Sequence, residues 1–293
     1  MEKKLVYFTI TLLLISLMAV SVVSAGWFDF LKPTGRLTSQ LTNVSVGVSG
    51  INPVTVTVDG IGAQNPTENG ITYVPATVHV SDPDGVNDVD DSSVNIAFTR
   101  SGEATRSDSA CDWVSDESST SAVFLCNVSM QYYDLNTADW SAVAKAKDKG
   151  NLTEISSSPV AFTYNLLQAM TIAPSAISWG ILSTGAVNQS ATNDPTTVTN
   201  TGNFNGTIKV TGLNLLGATT PADMITADKF KVDPADLCGG TALVNASSTE
   251  ITGTSANRGL GGTEELYYCI PSVPSVPSQT YSTAAGGSWT VGY

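Results

Sequence analysis

Histidine is almost missing from this chain: His79 is the only one among 293 residues. A zinc site built on paired histidines is therefore excluded, and Ser-His or Cys-His catalysis would rest on one side chain. His79 lies in the alternating run Val78-His-Val80, so it points away from its valine neighbours. No partner acid or nucleophile is identifiable beside it, and the expectation is a structural or exposed strand residue. There is no Cys-x-x-Cys, no Gly-x-Ser-x-Gly elbow and no phosphate-binding glycine loop. Charged residues make up only 13%, against about 25% in an ordinary globular chain. Basic residues are the scarcer kind, 13 Lys and Arg against 26 Asp and Glu, for a net charge of -13. Most of that negative charge falls in residues 41–165. An acidic surface of this kind repels nucleic acid and anionic membranes, so no nucleic-acid partner is expected.

What is present begins with a leader. Lys3 and Lys4 precede the apolar run Leu5–Val23, which ends in Val23-Ser24-Ala25 before Gly26. This is the order of a secretory signal peptide over residues 1–25, with cleavage favoured after Ala25. If the leader is kept, it anchors the chain in a membrane through that segment alone, since no second apolar run of such length occurs. Residues 26–40 read as a tether carrying Trp27, Phe28 and Phe30, which suit either a membrane interface or the underside of the next unit.

The remainder is long enough for about two domains. Residues 41–165 show short alternating strands: Val44/Val46/Val48, Val54/Val56/Val58, Val74–Val80, Val94–Phe98, Val123–Met130, Trp140–Ala144 and Val160–Tyr164. Sustained helical periodicity is lacking there. About seven strands with turns at this spacing predict a β-sandwich. Residues 166–293 are read the same way, with strands at Met170–Ile172, Ala176–Trp179, Thr196–Thr199, Gly206–Gly212, Glu265–Cys269 and Gly287–Val291. Pro221–Ile225 is expected to hold a helical turn, and Pro271, Pro274 and Pro277 to mark an edge or loop. The fold class is all-β, two sandwiches in tandem.

Each unit carries two of the four cysteines, Cys111 with Cys126 and Cys238 with Cys269. Export places them where thiols oxidise. Of the three pairings that four cysteines allow, pairing within each unit closes the shortest loops. In the chain-entropy account each bridge stabilises by ~3 to ~4 kcal/mol. The stretch between Cys111 and Cys126 is read as a polar loop.

The segments Asp82-Pro-Asp-Gly-Val-Asn-Asp-Val-Asp90, Cys126-Asn-Val-Ser-Met-Gln-Tyr-Tyr-Asp134, Trp140 and Ala146-Lys-Asp-Lys-Gly-Asn151 resemble an immunoglobulin-like domain found in uncharacterised secreted surface proteins of small-genome archaea. Ile177-Ser-Trp-Gly-Ile-Leu-Ser-Thr-Gly185 and Val198-Thr-Asn-Thr-Gly-Asn203 are similar to a second immunoglobulin-like pattern. The resemblance implies a fold and an external location, and it transfers no catalytic residue. Antibody-type domains space their cysteines much farther apart, so no antibody-type receptor is inferred.

Among candidate sites, the acidic turn with Asp82, Asp84, Asn87, Asp88, Asp90 and Asp91 stands out. Closely spaced oxygen ligands suit calcium, although Gly85 falls too early for an EF-hand. The alternative is a strand-connecting turn, in which Asp, Pro and Gly have backbone reasons to occur. No other cofactor is expected. Carboxylate pairs such as Asp134 with Asp139, or Glu264 with Glu265, match glycosidase chemistry in residue type, but acids are abundant here. Trp113, Tyr132, Tyr133 and Trp140 can stack on sugars. Trp140 is expected in the core, and Trp113 is the candidate exposed binding residue. Glycosylation candidates are Asn43, Asn151, Asn188, Asn205 and Asn245. Asn127, beside a cysteine on a strand, is the least favoured sequon. The expected function is a non-catalytic structural or adhesive role at the cell surface, with envelope components or another surface protein as partner. A secreted carbohydrate- or protein-binding module and a filament or lattice subunit are the alternatives.

Overall fold

Strand residues alternate between a core face and a solvent face, and valine and threonine favour the extended backbone that makes this work. The computed structural model describes residues 50, 52–150, 154–283 and 286–293. The leader, the tether and the expected strand at 44–48 lie outside these residues. The chain is all-β. In the first half β1 (Thr55–Val58) and β2 (Ile71–Ser81) are followed by β3 (Asn95–Thr99), β4 (Arg106–Asp108), β5 (Asp112–Ser118), β6 (Ser121–Gln131), β7 (Thr137–Ala146), β8 (Ile155–Ser156) and β9 (Val160–Tyr164). They form two antiparallel sheets, ordered β1-β2-β6-β5 and β4-β3-β7-β8, with β9 also on β7.

The register puts the apolar set on one side. Val74, Ala76, Val78 and Val80 of β2 lie opposite Val128, Cys126, Phe124 and Ala122 of β6. Trp140, Ala142, Ala144 and Ala146 of β7 and Ile96 and Phe98 of β3 join them in one buried cluster. Removing a side chain of this size from water stabilises by about 1.5–3 kcal/mol.

The second half contains β10 (Met170–Ala173), β11 (Val187–Ser190), β12 (Thr196–Asn200), β13 (Lys209–Thr211), β14 (Leu215–Gly217), β15 (Met224–Ile225), β16 (Lys231–Asp233), β17 (Thr241–Ala242), β18 (Ser248–Glu250), β19 (Thr263–Ser272), β20 (Tyr281–Ser282) and β21 (Thr290–Gly292). The main sheet runs β10-β12-β19-β16-β17, with β11 also on β19, and two three-stranded sheets, β18-β13-β21 and β15-β14-β20, accompany it. A separate buried cluster gathers Val198, Ile208, Val210, Phe230, Val232, Leu243, Leu266, Tyr268 and Ile270. Phe230 is its aromatic centre, with ring centroids 5.2 Å from Trp179 and 5.1 Å from Trp289.

Polar contacts join the two halves. The Arg258 guanidinium meets both Glu103 oxygens, at 2.5 and 3.1 Å, and donates to Tyr133 O at 2.7 Å. Thr201 donates its hydroxyl to Glu68 at 2.7 Å and accepts from Asn69 N at its carbonyl.

Three local expectations change. The stretch after Cys111 is not a loop but the hairpin β5–β6; β5 is an edge strand exposed along its whole length, so it has no apolar alternation to betray it. Ala176–Trp179 is not a strand, because Trp179 is held through its side chain, donating to Gln189 O at 3.0 Å and stacking on Phe230. Pro221–Ile225 has no helical turn; Met224–Ile225 pairs with β14 instead, and a single 3-10 turn follows at Ala227–Lys229. The proline stretch is an edge and loop as expected: Pro271 lies at the end of β19, where β11 alone pairs with it, and Pro274 and Pro277 follow outside any strand.

Candidate functional site

The acidic turn starts where β2 ends. Asp82 N donates to Thr120 O at 2.8 Å, and Gly85, at φ 119, reverses the chain. Two short 3-10 turns follow, Val86–Asp88 and Asp91–Ser93. This winding turns Asp82 and Asp88 inward. Asp82 is fully buried and Asp88 nearly so, and one carboxylate oxygen from each of Asp82, Asp84 and Asp88 lies within 4.8 Å of the others.

Backbone donors surround the group. Asp84 N donates to Asp82 Oδ1 at 2.7 Å, an Asx turn. Gly50 N donates to Asp88 Oδ2, and Asn52 donates to Asp84 from its backbone N at 3.0 Å and its side-chain amide at 2.9 Å. Gly50 passes so close that a Cβ there would sit 1.9 Å from Asp84 Oδ2, which only glycine avoids. A fourth carboxylate comes from after β7. Val89 bridges to Asp148, Lys149 N donates to Asp88 O, and Gly150 N donates to Asp148 Oδ1 at 2.6 Å. Asp148 is 1% exposed. Burial pushes the Asp82 carboxyl above the usual range, and the charges of Asp148, Asp88 and Asp84 push the same way.

Three of the expected ligands are elsewhere, Asp91 being exposed at the start of the second 3-10 turn. Asp90 Oδ1 accepts from Ser92 N at 3.2 Å and Ser92 Oγ at 2.7 Å, which commits it to capping the second 3-10 turn. Asn87 is exposed, and its contribution is a backbone carbonyl that accepts from Lys149 Nζ at 2.7 Å. The sequence gives Asp148 no role as a ligand. The only signal was an Asp-Lys-Gly-Asn run with no partner in sight.

His79 does have acid partners. Its Nε2 lies 3.3 Å from Asp59 and its Nδ1 3.1 Å from Glu117, across β1 and β5. Glu117 foremost, helped by Asp59, raises the His79 pKa above 6.5 against a partial desolvation cost. A raised basic pKa stabilises the fold fully below about pH 6.5 and loses that contribution as pH rises through the folded value. The wild-type melting temperature is therefore expected to fall, relative to His79→Asn, between about pH 6 and about pH 8. A constant difference across that range would refute the pairing.

The carboxylate pairs are otherwise engaged. Asp134 is buried under Arg106, and Asp139 lies 2.8 Å from Arg100. Glu264 accepts from Ser255 N at 2.8 Å, and Glu265 from the Tyr267 hydroxyl at 2.8 Å. Trp140 is fully buried, whereas Trp113 is 53% exposed on edge strand β5, with its indole N donating to Asp116 at 3.2 Å. Asn188, Asn205 and Asn245 are exposed; Asn43 and Asn151 fall outside the described residues. Asn127, least favoured on sequence, is also exposed, because it lies on the outer face of β6.

Cys111 is bonded to Cys126 and Cys238 to Cys269. Two disulfides fit an oxidising environment. Among the described residues no helix is long and apolar enough to cross a membrane. The second half also holds a cavity of about 920 Å³ between the main sheet and the segments around Trp179, Leu182, Pro277 and Trp289. The fully buried Tyr268 lines it, and among the described residues its hydroxyl makes no hydrogen bond. No protein-family model matches the chain, and no curated protein is similar to it in sequence.

Proposed function

We propose that this chain is an exported, non-catalytic protein of the cell envelope or surface, of the kind its immunoglobulin-like segments resemble, with a structural or adhesive role toward envelope components or another surface protein. The observation that carries the reading is the pair of disulfides, one beside each hydrophobic cluster. Such bridges persist where thiols are kept oxidised and suit a module that must survive outside the cell. The leader over residues 1–25 supplies the route. Of the acid pairs that match hydrolytic chemistry in residue type, Asp134 and Asp139 are tied to Arg106 and Arg100, which leaves them poorly placed to exchange protons with a substrate.

A binding module for carbohydrate or protein is a second reading, favoured by half-exposed Trp113. Filament assembly through the β5 edge is disfavoured, because Asp112, Asp116 and Glu117 would face the same charges on a second copy. The test is limited proteolysis of intact producing cells, with thiol counting on the released protein. Removal from the cell exterior with no free thiol is expected. Protection inside the cell with four reactive thiols would overturn the proposal.

A further inference from the structure

We propose that Asp82, Asp84 and Asp88, with the buried carboxylate of Asp148 packed beside them, form a calcium site that fastens residues 50–52 and the turn after β7 to the end of β2. The argument starts from two oxygens. Among the described residues, Asp82 Oδ2 and Asp148 Oδ2 are buried and accept no hydrogen bond. Their carboxyl groups are 0% and 1% exposed, so water does not solvate them either. A carboxylate oxygen out of water without a donor is strongly unfavourable unless a cation or a proton takes the place of solvent.

Among the described residues no Lys or Arg pairs with Asp82, Asp88 or Asp148, and Lys149 Nζ donates to the Asn87 carbonyl. The remaining carboxylate oxygens are oriented by backbone N–H groups from three separate segments, Gly50–Asn52, Asp84 and Gly150. These contacts fix the carboxylates in a cluster that like-charge repulsion would otherwise spread.

An all-oxygen ligand set suits calcium, and one oxygen from each of Asp82, Asp84 and Asp88 falls within 4.8 Å of the others, close enough for one ion to touch all three. The acids come from two separate segments, and calcium accepts the irregular ligand directions that follow, whereas magnesium demands near-octahedral geometry. Bound calcium would cancel two of the four negative charges and hold three chain segments together, which relates a folded edge of the first sandwich to the calcium concentration outside the cell.

The experiment uses the full chain, stripped with a chelator and melted at pH 7 at constant ionic strength with added CaCl2 or MgCl2. Extracellular modules bind calcium at about 0.1–1 mM. The melting temperature is expected to rise by about 5 °C or more once calcium far exceeds the dissociation constant, and magnesium should need at least about tenfold more. Asp82→Asn and Asp148→Asn should each abolish the calcium response, while Asp90→Asn, at the capping residue, should keep it. Calorimetry on the wild type reads binding directly, so the test stands even if a variant fails to fold; about one calcium per chain is expected. The proposal is overturned if the wild type shows neither heat nor a melting shift at about 10 mM calcium. It is equally overturned if the shift survives in folded Asp82→Asn and Asp148→Asn, or if magnesium matches calcium at equal concentration.

Discussion

Replacing Asp134 by alanine is expected to destabilise the protein by about 3–5 kcal/mol, the scale for breaking one side of a buried ion pair. Asp134 is 1% exposed in the middle of the β6–β7 connection. Its two oxygens accept Arg106 Nη2 at 2.5 Å and Arg106 Nε at 2.9 Å, and Gln131 N donates to the second at 2.7 Å. Arg106 itself is largely covered, lies 5.8 Å over the Tyr133 ring, and has its pKa raised chiefly by Asp134. Alanine leaves that guanidinium charged with little water and removes the acceptor that closes the turn. Asp134→Asn keeps one acceptor and should cost less. The double variant Arg106→Met/Asp134→Leu should recover much of the loss, because it leaves no orphaned charge. Urea unfolding followed by tryptophan fluorescence measures all three. A loss under about 1 kcal/mol for Asp134→Ala would mean that water reaches the pair.

Trp140→Ala is expected to cost about 3–5 kcal/mol, the range for deleting a large aromatic from a core. The indole is fully buried in the core cluster of the first half, with its ring 6.4 Å from Phe162, which packs 4.7 Å from Phe98. Its N–H donates to Leu135 O at 2.9 Å, so the side chain both fills volume and satisfies the loop before β7. Trp140→Phe separates these roles: it retains most of the packing and loses the hydrogen bond, with an expected cost of about 1–2 kcal/mol. Equal losses for Ala and Phe would show that the hydrogen bond, not the volume, matters most.

Legibility differed between strands for one physical reason. β2, β6 and β7 each have one buried and one solvated face, and their valines, alanines and aromatics alternate accordingly. β5 buries neither face, so Asp112–Ser118 carries no alternation and looked like a loop. Trp179 sits in a segment apolar enough to read as a strand, yet it is fixed by its ring and indole N–H without joining a ladder. His79 looked solitary because Asp59 follows β1 and Glu117 lies in β5, and nothing along the chain announces who lies across a sheet.

The acidic turn shows the same boundary. Local sequence named Asp82, Asp84 and Asp88, because Asp-Pro-Asp-Gly carries its own backbone logic. It also named Asn87 and Asp90, which local geometry then turned outward or used as a cap. Asp148 and Gly50 enter from 60 residues later and 32 residues earlier than Asp88 and Asp82, through backbone contacts made only after the sheets close. By itself, then, the sequence determined the all-β class, the strands with a two-faced burial pattern and the residues able to bridge as cystines, since these follow from periodicity and composition. Tertiary structure alone decided which acids share a buried site and which are neutralised by arginine, because those outcomes depend on distances between segments that the chain order does not encode.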